Sequence, residues 1–253
     1  MLHSRGFFQL QIRFVQGLSR VLDRPADELL FDYTAFRTVL AAERLAPADP
    51  LWREFADGFR RADDPVEWTL GFYLRHAAPD PPPGASTYRG SKLFGPFTYD
   101  TWSAGVVGER VVVRPHLHTR VAGSGTLIGR SAQADRRADL RALFADVRER
   151  LPGAESVRGH SWLYNLEAYR RLFPPEYARS MAVCPHGDYQ HLARWGQFFN
   201  RRWEVNAALA KTLLDRVAAL TDPARLIDCF PYPILNPECE LRYFYRFYGL
   251  ADP

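Results

Sequence analysis

The chain has 253 residues, of which 47% are apolar, 25% charged and 14% aromatic, and its net charge at neutral pH is +4. This apolar content is too high, and this net charge too low, for a disordered chain, and no window approaches the roughly 18 apolar residues of a membrane-spanning helix. No run of five or more like charges indicates a nucleic-acid-binding tail, so we expect neither a nucleic acid nor a membrane as partner.

Three cysteines, Cys184, Cys229 and Cys239, lie in the second half of the chain and form no C-x-x-C pair. An odd number in this arrangement predicts neither a disulfide framework nor a cysteine zinc site, and we expect no bound metal. A reduced, cytoplasmic compartment is the expectation that follows from this cysteine usage.

Four amphipathic helices are predicted before residue 80. The first covers 5–22, where apolar residues recur at helical spacing and favour a helix of the fold over a secretory signal. The second begins at Pro25, and the third and fourth begin at two Asp-Pro pairs, in which the aspartate caps the helix and the first turn tolerates proline. These elements predict a helical domain over residues 1–77.

A proline-rich connector is predicted over residues 78–91. Residues 78–84 contain four prolines, which cannot continue a helix and favour a stiff, extended segment. The periodicity of apolar residues changes beyond it, so we predict a second domain over 92–253.

The second domain mixes strands and helices. Its predicted strands cover 93–102, 106–118, 155–163, 226–232 and 241–248, and its predicted helices cover 138–151, 166–173, 189–203 and 205–220. The chain is therefore predicted to be an α+β protein, with a helical N-terminal region followed by a mixed-sheet α/β domain.

Short motifs lie along the first strands of this domain. Residues 111–118 end in His118, a glycine-containing loop follows, and a Ser-Trp-Leu motif occupies 161–163 on a later strand. This order of strand, loop, helix and strand resembles a two-domain group within the GNAT-like acyltransferases, in which H-I-P follows one strand and S-W-L-L lies on a later one. The resemblance covers roughly residues 64–180 and implies a helical N-terminal domain followed by a GNAT-like domain.

The loop after the second strand has a further resemblance. Residues 120–125 have the sequence Arg-Val-Ala-Gly-Ser-Gly, which is similar to the R/Q-x-x-G-x-G/A loop that binds the coenzyme A pyrophosphate in GNAT enzymes. The resemblance implies that Arg120, Gly123 and Gly125 bind acyl-coenzyme A, the acyl-donating substrate. Backbone N–H groups beside glycines can approach phosphate oxygens closely. The alternative is a plain mobile loop.

The resemblance also implies catalytic side chains. Asn165 followed by Tyr169 is similar to the helix whose tyrosine protonates the departing thiolate in these enzymes, and Tyr164 is a substitute. Glu155 and His160, on or beside the predicted strand, are candidates for the base that removes the proton of an attacking amine. The alternative for either tyrosine is a packed aromatic ring with its hydroxyl at the surface.

These assignments together predict direct acyl transfer from acyl-coenzyme A to a small-molecule amine acceptor, with backbone donors polarising the thioester carbonyl. The acyl group and the acceptor do not follow from the sequence, and a homodimer remains open. A non-catalytic protein with a degenerate fold of this type, binding a partner through residues 1–77, is an alternative.

His116 and His118 support a different hypothesis. Alternate residues of a strand share a face, so both imidazoles would lie on one side, at a spacing that suits a metal ion. His160, His186, Asp188 or His191 could complete such a site and make a metal-dependent enzyme. The alternative is a pair of half-buried histidines that bond to the backbone.

Cys184, His186 and Asp188 bring a thiol, an imidazole and a carboxylate within five residues. Sequence neighbours rarely reach the geometry of a nucleophile and its base, and Pro185 beside the cysteine favours a turn. A serine hydrolase is also disfavoured, because residues 159–163 lack the last glycine of the G-x-S-x-G motif.

Overall fold

The structure is a computed structural model that describes residues 3–79, 87–88, 90–103, 111–118, 127–185, 187–200 and 202–251. Its α-helices are α1 (Arg5–Leu22), α2 (Ala26–Tyr33), α3 (Phe36–Val39), α4 (Pro50–Arg61), α5 (Pro65–His76), α6 (Gln133–Arg150), α7 (Glu167–Arg170), α8 (Pro175–Arg179), α9 (Leu192–Trp195), α10 (Ala207–Ala218) and α11 (Leu241–Phe247). Its strands are β1 (Thr87–Tyr88), β2 (Ser91–Lys92), β3 (Phe97–Ser103), β4 (Val111–Leu117), β5 (Ala154–Arg158), β6 (Ala182–Val183), β7 (Leu235–Asn236) and β8 (Glu238–Glu240). Short 3-10 helices cover Arg130–Ala132, Trp162–Asn165, Gly196–Phe198 and Pro223–Cys229. No helix within the described ranges is long and apolar enough to cross a membrane.

The chain forms two compact units, and each unit is assembled from two separate stretches of sequence. Unit 1 comprises residues 1–80 and 185–233, and unit 2 comprises residues 81–184 and 234–253. The predicted division keeps 185–233 within the α/β domain, whereas in the structure this stretch belongs to the helical unit. The reason is that its apolar side chains belong to the same buried cluster as those of the N-terminal helices.

Two of the N-terminal helices begin where their capping residues lie. The Asp49 carboxylate accepts a hydrogen bond from Leu51 N at 2.9 Å, and α4 begins at the proline between them. Asp64 accepts from Val66 N at 2.8 Å in the same way at the start of α5. Each bond satisfies an N–H group that the first turn leaves without an intrahelical partner. The predicted starts of both helices are confirmed.

Unit 1 has an aromatic core. Phe14 of α1 is fully buried, and its ring centroid lies 5.2 Å from that of Trp195 and 5.7 Å from that of Phe230. The approach of α1 to α10 depends on Gly17, since a Cβ there would lie 3.0 Å from the side chain of Val217. Burying a large apolar side chain stabilises a fold by about 1.5–3 kcal/mol, so the two stretches of unit 1 stabilise each other.

Unit 2 contains a four-stranded sheet in the order β3-β4-β5-β8. β3 and β4 are antiparallel, β4 and β5 are parallel, and β5 and β8 are antiparallel. A parallel pair cannot be joined by a tight turn, because the chain must return to the starting edge of the sheet. The connection between β4 and β5 accordingly contains the long helix α6.

One face of this sheet packs against α6 and α11. Val113 of β4 and Val157 of β5 are fully buried in the same apolar cluster as Phe144 of α6 and Phe244 of α11. Successive side chains of a strand alternate between faces, so the neighbours of these valines point to the opposite face, which is rich in polar residues. The protein is therefore an α+β structure in which a helical N-terminal region precedes a mixed four-stranded sheet.

The prediction of two strands near the C-terminus is wrong. Residues 226–232 overlap the 3-10 helix at Pro223–Cys229, and residues 241–248 contain the helix α11. The prediction of one long helix over 189–203 is also wrong, because the described residues of this range form only α9 and one 3-10 turn. Aromatic residues favour strands by propensity, but packing contacts override that preference when the segment can bury a helical stripe.

β6 and β7 form a small antiparallel pair in unit 2. The pairing continues through a hydrogen bond from Cys184 N to Ile234 O at 2.8 Å. Cys184 is the last residue of unit 2 before the stretch 185–233, and Ile234 is the first residue after it. The two ends of that stretch are therefore anchored side by side.

Candidate active site

β4 and β5 are paired along only part of their length. The ladder joins β5 to residues 111–113, and the rest of β4, as far as Leu117, has no partner in β5 among the described residues. Beyond β5 the chain pairs on its other side, where Gly159 N donates to Pro237 O at 2.9 Å. β4 therefore extends beyond the end of its ladder with β5, and residues 114–117 have no partner on that side within the described part of the chain.

The polar face of the sheet carries two charged cross-strand pairs. Arg114 of β4 donates to the Asp100 carboxylate of β3 through Nε at 2.8 Å and Nη2 at 2.7 Å. Arg158 Nε of β5 donates to Glu238 Oε2 of β8 at 2.7 Å. All four side chains are partly exposed, whereas Thr98, Val112 and Ser156 on the same face are buried.

His116 joins the first of these pairs. Its Nε2 lies 3.1 Å from Asp100 Oδ2. Burial raises the pKa of the Asp100 carboxyl, but hydrogen bonds from His116 and Arg114 outweigh burial and lower the pKa to about 2. Asp100 is therefore ionised at neutral pH and is already bonded to the imidazole that was a predicted metal ligand.

His118 lies in a separate environment. Its Nε2 is 2.7 Å from Thr98 Oγ1. Within the described residues, neither His116 nor His118 belongs to a group of three or more potential metal ligands. A metal centre built on these two histidines therefore finds no third ligand in the described part of the chain.

The His160 side chain, just beyond the end of β5, lies close to the side chains of Asn236 and Cys184. Its Nδ1 lies 2.8 Å from Asn236 Oδ1, and a ring nitrogen of His160 lies within 4.8 Å of Cys184 Sγ. An amide oxygen can only accept, so Nδ1 donates this hydrogen bond, and in the neutral ring the lone pair is on Nε2. An imidazole held in one tautomer in this way can act as a base.

The pairing of three extended segments explains this meeting. Ser161 and Leu235 form an antiparallel bridge, so their neighbours His160 and Asn236 lie opposite each other. On the other side of β7 lies β6, and Cys184 directly follows β6. Because alternate residues of neighbouring strands share a face, these three side chains lie on the same side.

Glu155, the other predicted base, lies at the opposite end of β5. It is exposed near the start of the strand, whereas His160 follows the end of the strand. Extended chain rises about 3.3 Å per residue, so roughly 16 Å separates the two residues. The structure does not bring Glu155 and His160 together.

Tyr164 and Tyr169 lie inside an aromatic cluster of unit 2. Tyr169 is 2% exposed, and Tyr164 Oη lies 2.9 Å from Tyr177 Oη. Burial raises the pKa of both Tyr164 and Tyr169 well above its ordinary value of 10.0. A Cβ on Gly159 would collide with the hydroxyls of Tyr164 and Tyr177, so these hydroxyls pack against the end of β5 and not at the surface.

The predicted pyrophosphate loop, with Arg120, Gly123 and Gly125, lies outside the described residues. The description of the chain resumes at Leu127, ahead of α6. The binding role of this loop stays a prediction.

Asn236 is the member of this site that the sequence pattern does not identify. No spacing links it to His160, because the two residues meet only through the pairing of distant segments. No family model matches the chain, and neither a curated protein nor a solved structure matches it. The site is therefore interpreted from its own geometry.

Proposed function

We propose that this protein is a GNAT-like acyltransferase that moves an acyl group from an acyl-coenzyme A thioester to a small-molecule amine. The observation that carries the proposal is the extension of β4 beyond its ladder with β5, which ends after residues 111–113. In this proposal the two parallel strands part at their C-terminal ends and admit a ligand, at the edge where α/β folds bind their ligands.

The unpaired edge of β4 suits an extended ligand that carries amide groups. Residues 114–117 have no partner in β5 within the described ranges, and a strand edge binds extended chains through its N–H and C=O groups, of which Pro115 supplies only the C=O. The pantetheine arm of coenzyme A is an extended chain with amides, and it ends in the reactive thioester.

The order of elements along the chain supports the same ligand. Arg120, Gly123 and Gly125 follow β4 directly, so a diphosphate bound by this loop would leave the arm to run along β4. Backbone N–H groups beside glycine and a guanidinium group are both suited to phosphate oxygens.

His160 is the base in this proposal. It lies just beyond the C-terminal end of β5, whereas Glu155 lies at the far end. The amine nitrogen attacks the thioester carbonyl, the C–N bond forms, the C–S bond breaks, and Nε2 of His160 takes the amine proton and returns it to the thiolate. The burial of Tyr169 favours a packing role for that residue.

Isothermal titration with coenzyme A and acetyl-coenzyme A tests the proposal. We expect both to bind, and we expect the Gly123→Leu, Gly125→Leu double variant to weaken binding at least tenfold by blocking the phosphate approach. Gly153→Leu is the matched control, because a Cβ at Gly153 meets nothing within 4 Å.

Absence of binding at millimolar coenzyme A and acetyl-coenzyme A would overturn the proposal and leave a non-catalytic binding protein as the better interpretation. Equal weakening by the Gly153 control would show that the effect of the double variant is not specific to the loop. Thermal unfolding of all three proteins establishes that each variant is folded.

A further inference from the structure

We infer that Cys184 is an acyl-accepting nucleophile, with His160 as its base and Asn236 as the residue that positions the base. The acyl group would then pass through a thioester on Cys184 before it reaches the amine. This inference rests on the proposed function for the identity of its natural donor, although the reactivity of the thiol can be tested without coenzyme A.

The first argument is the arrangement of the three side chains. They come from three neighbouring extended segments and lie on one face, with the His160 ring nitrogen and Cys184 Sγ within 4.8 Å. The Asn236 amide holds the ring through its 2.8 Å bond to Nδ1, so in the neutral ring the basic nitrogen is Nε2. A thiol, an imidazole and an orienting group in this relation form the general constellation of a nucleophilic site. Separations between nucleophile and base are commonly long before substrate binds.

The second argument is the surroundings of the thiol. Cys184 is 3% exposed, and its backbone is anchored by the bond to Ile234 O, so the sulfur has a fixed position from which bulk water is excluded. A thioester formed in such a place is protected from hydrolysis until an amine arrives.

The other two cysteines lack this arrangement. Burial raises the pKa of the Cys229 thiol, and burial together with the neighbouring Glu176 raises the pKa of Cys239 to about 12. Cys184 is as buried as Cys229, so burial does not distinguish these two thiols. What distinguishes Cys184 is the imidazole within 4.8 Å of its sulfur, and Cys229 and Cys239, which belong to no such group among the described residues, serve as internal controls.

The chemistry balances without any further reactant. In the first step Cys184 Sγ attacks the thioester carbonyl, the Sγ–C bond forms, the bond to the coenzyme A sulfur breaks, and His160 carries the thiol proton to the departing thiolate. In the second step the amine attacks the acyl-cysteine, the C–N bond forms, the Sγ–C bond breaks, and His160 returns the amine proton to Sγ.

Acylation by p-nitrophenyl acetate tests the nucleophile independently of coenzyme A. We expect a burst of one p-nitrophenolate per chain and a hydroxylamine-labile acetyl group, which peptide mass spectrometry assigns to Cys184. Cys184→Ser should abolish the burst, and Cys229→Ala should leave it unchanged. Absence of acetyl from Cys184 in the wild-type protein would overturn the inference, and this readout needs no variant to fold.

The pH dependence of the burst rate distinguishes the proposed roles of His160 and Asn236 from a role in packing alone. If His160 takes the thiol proton, the burst rate at pH 7 should fall at least tenfold in His160→Ala. The burst rate of His160→Ala should then rise more steeply with pH than that of the wild type, because hydroxide must replace the missing base. Asn236→Ala should shift the profile in the same direction by a smaller factor. A burst rate with the same pH dependence in wild type and His160→Ala would overturn the inference.

Turnover distinguishes this inference from the proposed function. If Cys184→Ser retains coenzyme A binding and wild-type transfer from acetyl-coenzyme A to an amine, the direct mechanism stands and the acyl-cysteine is wrong. If acetyl-coenzyme A does not bind while p-nitrophenyl acetate still acylates Cys184, the nucleophile stands and the coenzyme A donor is wrong.

Discussion

Asp146 on α6 shows how a single buried carboxylate can be satisfied by residues from distant parts of the sequence. It is 7% exposed, and it accepts hydrogen bonds from Lys92 Nζ at 2.7 Å and from Tyr99 Oη at 2.7 Å. Burial raises its pKa, but the bonds from Lys92 and Tyr99 outweigh burial and lower the pKa below the ordinary value of 3.8. The ionised form is therefore the one that stabilises the fold.

We expect Asp146→Asn to lower the free energy of unfolding by about 2 kcal/mol at pH 7, since bonds to a charged acceptor are lost and the Lys92 ammonium loses its partner. Because the folded pKa is depressed, this contribution is present above about pH 4 and is lost as the pH falls through the folded pKa. Urea unfolding at pH 7 and pH 3 measures both effects.

The control for this change is Asp215→Asn in α10. Asp215 forms an exposed pair with Lys211, and such pairs contribute less than about 1 kcal/mol. If the two variants lose equal stability at pH 7, or if the loss in Asp146→Asn does not shrink at pH 3, the account of Asp146 is wrong.

At the scale of single residues, the sequence predicts which helix faces are buried but not which side chains form hydrogen bonds with each other. The helix predicted over 138–151 is confirmed, and Leu140, Leu143, Phe144 and Val147 form its buried face. Helical spacing marks Asp146 only as the i,i+4 partner of Arg150, because its partners Lys92 and Tyr99 lie on β2 and β3, far away in the sequence. The meeting of His160 with Asn236 is hidden for the same reason, since it depends on which strands pair.

The C-terminal element α11 shows how packing decides between a helix and a strand. Its buried residues are Leu241, Phe244 and Tyr245, and Tyr248 directly after it is buried too, which is the spacing of one helical face. Two adjacent residues, Phe244 and Tyr245, are both buried, whereas a strand with one open face would expose one of them. The Phe244 ring lies 4.6 Å from that of Phe144 on α6.

We expect Phe244→Ala to cost about 3–5 kcal/mol and Tyr245→Ala to be comparably severe, because each leaves a cavity in the apolar cluster. Arg246→Ala, at an exposed position, should change stability by less than about 0.5 kcal/mol. Chemical denaturation of the three variants measures this. Tolerance of Tyr245→Ala together with loss in Phe244→Ala would indicate the alternation of a strand.

The helices of the N-terminal region were easier to predict than α11. Each of α4 and α5 begins with an aspartate, a proline and an apolar stripe, so local capping and periodicity agree with the final structure. In the last segment six of eight residues are apolar or aromatic in close succession, so periodicity is ambiguous and strand propensity dominates until the packing partners are known.

The whole chain is organised by its repeated crossing between two units. Unit 1 takes residues from both 1–80 and 185–233, and its buried core includes Trp195, Phe198 and Leu213 from the second stretch. Periodicity and capping describe each segment locally, so they cannot reveal that the chain returns to an earlier core. Secondary-structure propensity does not predict such long-range assembly.

We expect a fragment of residues 1–80 to lack cooperative unfolding when expressed alone, because it is missing the side chains that complete its core. A single chain in which 185–233 follows residue 80 through a flexible linker should fold. Differential scanning calorimetry and amide dispersion in NMR spectra test both proteins. A sharp unfolding transition in the 1–80 fragment would contradict this expectation.

The anchored ends of the stretch 185–233 have a consequence for engineering and for evolution. β6 and β7 pair like the two strands of a hairpin, but residues 185–233 connect them in place of a turn. The hydrogen bond from Cys184 N to Ile234 O holds the two ends of this connection together. Because residues 185–233 also complete the core of unit 1, they can be excised from unit 2 only together with residues 1–80. The ends of β6 and β7 can then be joined by a tight turn without stretching the sheet. Because Cys184 is the last residue of unit 2 before this stretch, such a variant would also show whether the reactivity that we propose for the Cys184 thiol requires residues 185–233.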